Sequence, residues 1–382
     1  MKLAKRKLLM IICFSFLVFL LPASGLAQNL YLQPEITINK KIDLQEVDWY
    51  LTGDIDDAGI LLPEFYFTFE LFDSQITVGK KYVKLGPGYF SQLMLSDLGT
   101  PLNMLSWEGD FTWSGEEIEY FHMIAYLDEG VNKQLFVHRL SNNTLFENIE
   151  IGVSEAVMAS RVIHPAYYNP LPFWPYYLTT KLIGLDSEYN NHEDKYLGID
   201  FNYHLDNGAR LYGELLVDEY PMRIEDGNPD KRAHLIGYYY PYHEKTELRA
   251  EYSNVFNSVY VHRYPENTYT YNGKLLGHWL GNDGDVLDLE LSHKLDAKQA
   301  YSIGIRGQRK GIGSLDEDFG PDHEEKKFLS EITSTKAEVI VGYKNKVRSN
   351  VELEVEGRVG REWTEEGSSN IFGINLSLGI EL

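Results

Sequence analysis

Six apolar residues, Phe372, Ile374, Leu376, Leu378, Ile380 and Leu382, alternate strictly with small or polar ones up to the last position of the 382-residue chain. A strand turns successive side chains to opposite faces, so this spacing puts all six on one side. The run before it does the same with charge: Val351, Leu353, Val355 and Val359 alternate with Glu352, Glu354, Glu356 and Arg358. One face needs water and the other needs lipid or a core. Runs of about ten residues exceed the five or six usual in a sandwich and suit a tilted membrane strand.

The same two-residue period runs back through the chain. Phe65, Phe67, Phe69 and Leu71 oppose Glu64, Tyr66, Thr68 and Glu70; Leu197, Ile199, Phe201 and Tyr203 oppose Gly198, Asp200 and Asn202. Leu287, Leu289 and Leu291, then Ile303 and Ile305, continue it, while Ile340 breaks the alternation of Ala337, Val339, Val341 and Tyr343. Asp206-Asn207-Gly208 is a hairpin signal. Only a closed sheet hides its backbone edges from a bilayer. The expected fold is therefore all-β, a large antiparallel transmembrane β-barrel of about 16–18 strands, with 18 favoured, over residues 62–382. Residues 28–61 are weakly patterned and are expected to form a small N-terminal periplasmic or plug element. Polar stretches at 225–231, 281–285 and 314–327 read as external loops.

The first 27 residues read as a secretory signal: Lys2, Lys5, Arg6 and Lys7, an apolar core from 8 to 21, then small residues at Gly25 and Ala27. The only cysteine, Cys13, lies inside it. The exported chain then has no disulfide, no thiolate metal site and no cysteine nucleophile. Loss of four cations and no acids on cleavage takes the net charge from −22 to −26. Nucleic acid is excluded as a partner, because its phosphates demand cationic contacts. No apolar run after the signal reaches the roughly 20 residues of a membrane helix.

Residues 160–189 break the strand rhythm. From 164 to 178 they carry four prolines and six aromatic residues, which rules out a central strand. Tyr167, Tyr168, Phe173, Trp174, Tyr176 and Tyr177 are the candidate ligand-binding residues, with His164 beside them. Aromatic rings cover the C–H face of a sugar, and their polar tips bond at its edge. The competing reading is an aromatic girdle at the membrane interface. Neither Asn282, Asp283 and Asp285 nor Asp316, Glu317 and Asp318 has the spacing of a calcium loop, so both read as hydrated acidic loops and no metal or other cofactor is expected. Ser292 and His293 are adjacent on a strand, point to opposite faces and make no dyad; no catalytic residues are expected. Arg249, Arg306, Arg358, Glu352, Glu354 and Glu356 face the lumen, either as a channel lining or as a ladder of ion pairs.

One stretch is unlike a strand. Residues 80–97, KKYVKLGPGYFSQLMLSD, turn sharply at Gly86-Pro87-Gly88, where glycine allows angles other residues avoid and proline fixes φ. With Ser96 closing the run, it resembles the W/L-GPG-(x)n-S-x-L-x-L-S segment of Wzi-type capsule-assembly proteins. Gly152-Val153-Ser154-Glu155, Asn169-Pro170-Leu171-Pro172, Leu197-Gly198-Ile199-Asp200 and the segment from Asn207-Gly208 to Asp218 follow in that family's order. The resemblance covers roughly residues 75–220, and Lys84-Leu85 stands where a bulky aromatic residue is expected. It implies an 18-stranded barrel in the outer membrane of a diderm bacterium, monomeric, folded by the barrel-assembly machinery and embedded in outer-membrane lipid. The implied role is binding capsular or exopolysaccharide and attaching it at the cell surface. A porin-like channel for small solutes is the alternative reading.

Overall fold

The computed structural model describes residues 30–44, 47–51, 54–56, 59–61, 64–71, 74–128, 130–163, 165–168, 193–218, 231–315, 328–329, 331–349 and 351–381. The signal sequence lies outside them. Among the described residues seventeen strands form one sheet. From Val47–Leu51 to Gly367–Glu381 each strand pairs antiparallel with the next along the wall. Leu30–Leu44 then pairs antiparallel with Val47–Leu51 and parallel with Gly367–Glu381, so the pairings return on themselves as a ring. An odd number of up-and-down strands leaves its first and last members running the same way. The closing seam is therefore parallel. Seventeen falls inside the expected range and one short of the favoured 18.

The N-terminal stretch is corrected in one respect. Leu30–Leu44 and Val47–Leu51 lie in the wall rather than in a separate element, with a small hairpin, Asp54–Asp56 and Gly59–Leu61, beside them. The sequence reason was present but interrupted. Leu30, Leu32, Ile36, Ile38, Ile42 and Leu44 keep the two-residue period, with Pro34 and Lys40 breaking it. The register sets Leu30, Leu32, Ile36 and Ile38 opposite Phe372, Ile374, Leu378 and Ile380, the alternating residues of the last strand.

The two ends of the barrel differ. At one, strands meet in tight turns such as Ser114-Gly115, where both residues have positive φ as a right-twisted hairpin requires. At the other lie the connections 82–101 and 256–283. Leu287, Leu289, Leu291, Ile303 and Ile305 are exposed on the outer wall, the belt a bilayer covers. The buried apolar cluster lies inside the ring, toward the long-connection end. It joins Leu93, Met94 and Leu95 to Tyr196, Tyr212, Tyr260 and Tyr269.

Candidate functional site

Strand Ser74–Lys81 ends where the Gly-Pro-Gly corner begins. Gly86 has φ +118°, and the Leu85 N–H donates to the Leu95 carbonyl at 3.0 Å, closing the neck of the loop. The tip lies in the lumen and not at the rim. A tip built as Gly-Tyr-Phe-Ser-Gln has backbone N–H groups that no ladder satisfies, and burial makes each one costly. Two carboxylates on the inner wall take them. Glu214, on strand Arg210–Asp218, accepts from Gly88 and Leu93, both at 2.8 Å. Glu251, on strand Thr246–Val255, accepts from Tyr89 at 2.7 Å, Phe90 at 3.2 Å and the Tyr212 hydroxyl at 2.9 Å.

The connection 256–283 lies over this tip and locks it. The Tyr260 hydroxyl donates to the Leu93 carbonyl and accepts from the His278 N–H at 3.2 Å. The Ser96 N–H donates to the Leu276 carbonyl at 2.9 Å, and the Trp279 N–H donates to Ser91 Oγ at 3.3 Å. The rings of Tyr260 and Tyr269 stack at 5.8 Å. Burial pushes both hydroxyls above the usual tyrosine range, and the nearby Asp218 adds to the effect. Burial also holds His278 down to about 3, with the Arg306 charge adding to it, so this ring is neutral at physiological pH.

Charges on the inner wall are mostly paired across strands. Arg249 donates to Glu247 at 2.8 Å and Glu290 at 3.3 Å and stands 4.1 Å over the Tyr89 ring. Arg306 meets Asp288 at 2.6 Å and stacks on Trp279. Arg139 is bidentate to Asp200, Lys344 meets Glu352 at 2.7 Å, and Arg358 meets Glu356 at 2.6 Å. The ladder of ion pairs describes this lining.

Two cavities lie beneath the corner, of about 580 and 360 Å³. They share Lys84, Leu85, Glu119, Arg139 and Ser141. The larger runs from the underside of the corner to Asp110 and Glu117, beside the Ser114-Gly115 turn at the opposite end.

The residues singled out in the sequence fare differently. Gly86, Pro87, Gly88 and Ser96 all belong to the lumenal corner. Tyr167 is corrected as a ligand residue: it is fully buried, packed on Phe136 with Val157 and Ala159, and has no face to offer. Tyr168 is half exposed, meets the edge of Phe136 at 5.2 Å and donates to Gln134 at 3.0 Å. His164, Phe173, Trp174, Tyr176 and Tyr177 lie outside the described residues, as do Asp316, Glu317 and Asp318. Asn282, Asp283 and Asp285 are not hydrated but buried. Asp283 accepts from the Gly313 N–H, and Asp285 accepts from Arg309 and Tyr252. His293 bonds Thr246 at 2.8 Å rather than Ser292. Sequence reasoning did not pick out Glu214, Glu251, Tyr260 or His278. The one signal was an acid at an inward position between Tyr212 and Leu216, inside a segment already marked as resembling the family.

Comparison with known proteins agrees with this geometry. A family model for capsule assembly protein Wzi matches residues 23–370. Among solved structures, Wzi of Escherichia coli superposes with a TM-score of 0.64 at 14% identity, covering 86% of this chain and 74% of that one. It is described as an outer membrane protein involved in group 1 capsule assembly and a carbohydrate-binding β-barrel. OccD3 (OpdP) of Pseudomonas aeruginosa superposes with a TM-score of 0.50 at 10% identity, over 87% of this chain and 81% of its own. No protein in the curated set matches the sequence.

Proposed function

The chain belongs to the Wzi family of capsule assembly proteins, and we propose that it binds exported polysaccharide and helps to assemble or hold a capsule at the cell surface. It is an outer-membrane β-barrel. The observation that carries the proposal over a diffusion channel is the corner bound in the lumen by Glu214 and Glu251, where a porin keeps an aqueous path. The mechanism is non-covalent. The barrel anchors the protein in outer-membrane lipid, and aromatic side chains grip sugar by stacking, with Tyr168, Phe173, Trp174, Tyr176 and Tyr177 as the candidate residues. The protein acts as a monomer after loss of residues 1–27 and assembly by the barrel-insertion machinery.

The test uses full-length protein folded in detergent. Cell-surface polysaccharide from the source strain is passed over the immobilised barrel, and the same sample is fused into planar bilayers. Retention of polymer without steady conductance is the expected result. Steady conductance without retention would replace this reading with the channel.

A further inference from the structure

The larger cavity beneath the corner contains groups that the closure does not use. Register places Ser106, Glu108 and Asp110 on the inner side of strand Leu102–Trp113, and Glu117, Glu119 and Phe121 on the inner side of its neighbour Glu116–Asp128. Lys84 hangs from the corner as part of the roof. Ser106 is only 3% exposed, yet its hydroxyl has no partner among the described residues. Among those residues Lys84, Glu108, Asp110 and Glu117 also lack an ion pair or side-chain hydrogen bond, while Lys81 meets only the Tyr66 ring and Glu119 only the Ser141 hydroxyl. The Ser106 side chain lines the cavity, so its hydroxyl is placed to meet water or a ligand there. Phe121, half-buried, lends a ring to the same wall.

We propose that this cavity is a second, lumenal binding site, entered from the short-turn end, for an uncharged sugar unit. That it takes a sugar rests on the polysaccharide role proposed above; that it takes an uncharged one follows from its own charges. Carboxylates accept hydrogen bonds from neighbouring sugar hydroxyls. Ser106 gives or accepts one at the back of the cavity, Lys84 donates from above, and the Phe121 ring covers a C–H face. Four carboxylates without an ion pair, Glu108, Asp110, Glu117 and Glu119, against the two ammoniums of Lys81 and Lys84 repel a uronate or a phosphorylated sugar. The volume of about 580 Å³ falls within the range of small-ligand sites. The protein then meets sugar from the periplasmic side as well as from outside.

The experiment is calorimetric titration of detergent-folded protein with maltotriose, mannotriose and galactotriose, and with glucuronate as the charged counterpart. The variants are Glu117→Gln with Glu108→Gln, which removes charge but not volume, and Ser106→Leu, which fills the back of the cavity. Retained heat-modifiable migration shows that each barrel has folded. Saturable binding of an uncharged trisaccharide, weakened about tenfold or more by both changes, is the expected result. Binding of no trisaccharide, binding that both variants leave intact, or preferential binding of glucuronate through Lys84 would each overturn the site. Polymer retention by the same variants separates the two proposals. If the wild type retains polymer but binds no trisaccharide, the surface role stands and the lumenal site falls. If it binds trisaccharide through the cavity but retains no polymer, the reverse holds.

Discussion

Glu214 and Gly88 stand 126 positions apart in the chain, yet the carboxylate of one accepts the backbone N–H of the other at 2.8 Å inside the barrel. The second oxygen of the same carboxylate takes the Leu93 N–H, so one wall residue holds both sides of the corner. Glu251 does the same for the next two residues of the tip. The closure is thus an attachment of loop backbone to wall side chains. It can be tested one carboxylate at a time without touching the loop.

Glu214→Ala leaves two buried amides without an acceptor, each worth about 1–3 kcal/mol. The wall strand keeps its ladder, so the barrel still folds and shows heat-modifiable migration. The expected change is in the lumen: planar bilayers record steady or flickering conductance that the wild type lacks. Glu251→Ala acts in the same direction, and the double variant more strongly. A barrel that stays electrically silent with both acids removed would mean that the connection 256–283 alone closes it.

The strands were legible because their signal is local. Leu287, Leu289 and Leu291 announce their outward face within five positions, and pairing only had to preserve it. The corner was legible as a corner, since Gly86-Pro87-Gly88 allows little else. Its destination was not. What brings it into the lumen is a set of bonds to acids far along the chain, and a lone Glu among inward residues looks the same whether it meets water or a buried amide. Leu30–Leu44 was not read as a wall strand for another reason: Pro34 and Lys40 interrupt its period, so that only Glu35–Ile38 suggests a short strand, and its partner in the parallel seam is the far end of the chain.

Gly86→Ala should loosen the corner for two independent reasons. The φ of +118° is outside the range a side chain tolerates, and an added Cβ would sit 2.3 Å from Glu214 Oε1. The expected cost is about 1–3 kcal/mol, taken from the attachment of the loop rather than from the wall. Trypsin cleavage after Lys84, in detergent under native conditions, should speed up by tenfold or more. Gly307→Ala, where nothing lies within 4 Å of the added atom, provides the control. Equal cleavage of both variants would show that the corner accepts another conformation at no cost.

Tyr260→Phe removes one oxygen that serves two partners, the Leu93 carbonyl and the His278 N–H. The ring stays stacked on Tyr269, so packing is conserved while two buried backbone groups lose their bonds. About 1–3 kcal/mol per orphaned group is expected. Hydrogen exchange reads the change directly: the His278 amide should exchange at least tenfold faster, with little change in the wall strands. Uniform loss of protection through the barrel would instead assign Tyr260 to global stability.

His278 makes the lid over the corner sensitive to acid. When packed, its ring takes a proton only near pH 3, held there first by burial and then by the Arg306 charge; when released into water it would do so near 6.5. Between those values the released connection binds a proton that the packed one refuses, so packing loses stability as pH falls from 6.5 toward 3 and is unaffected above 6.5. The adjacent Trp279, stacked on Arg306, reports on release through its fluorescence. Lowering the pH from 7 to 4 should shift that emission and raise hydrogen exchange across 256–283 in the wild type. His278→Asn cannot take up the proton, so its profile should be flatter over the same window. Acids elsewhere in the lumen titrate in both proteins alike and drop out of the difference. Parallel profiles for the two proteins would mean that the lid responds to those acids and not to the histidine.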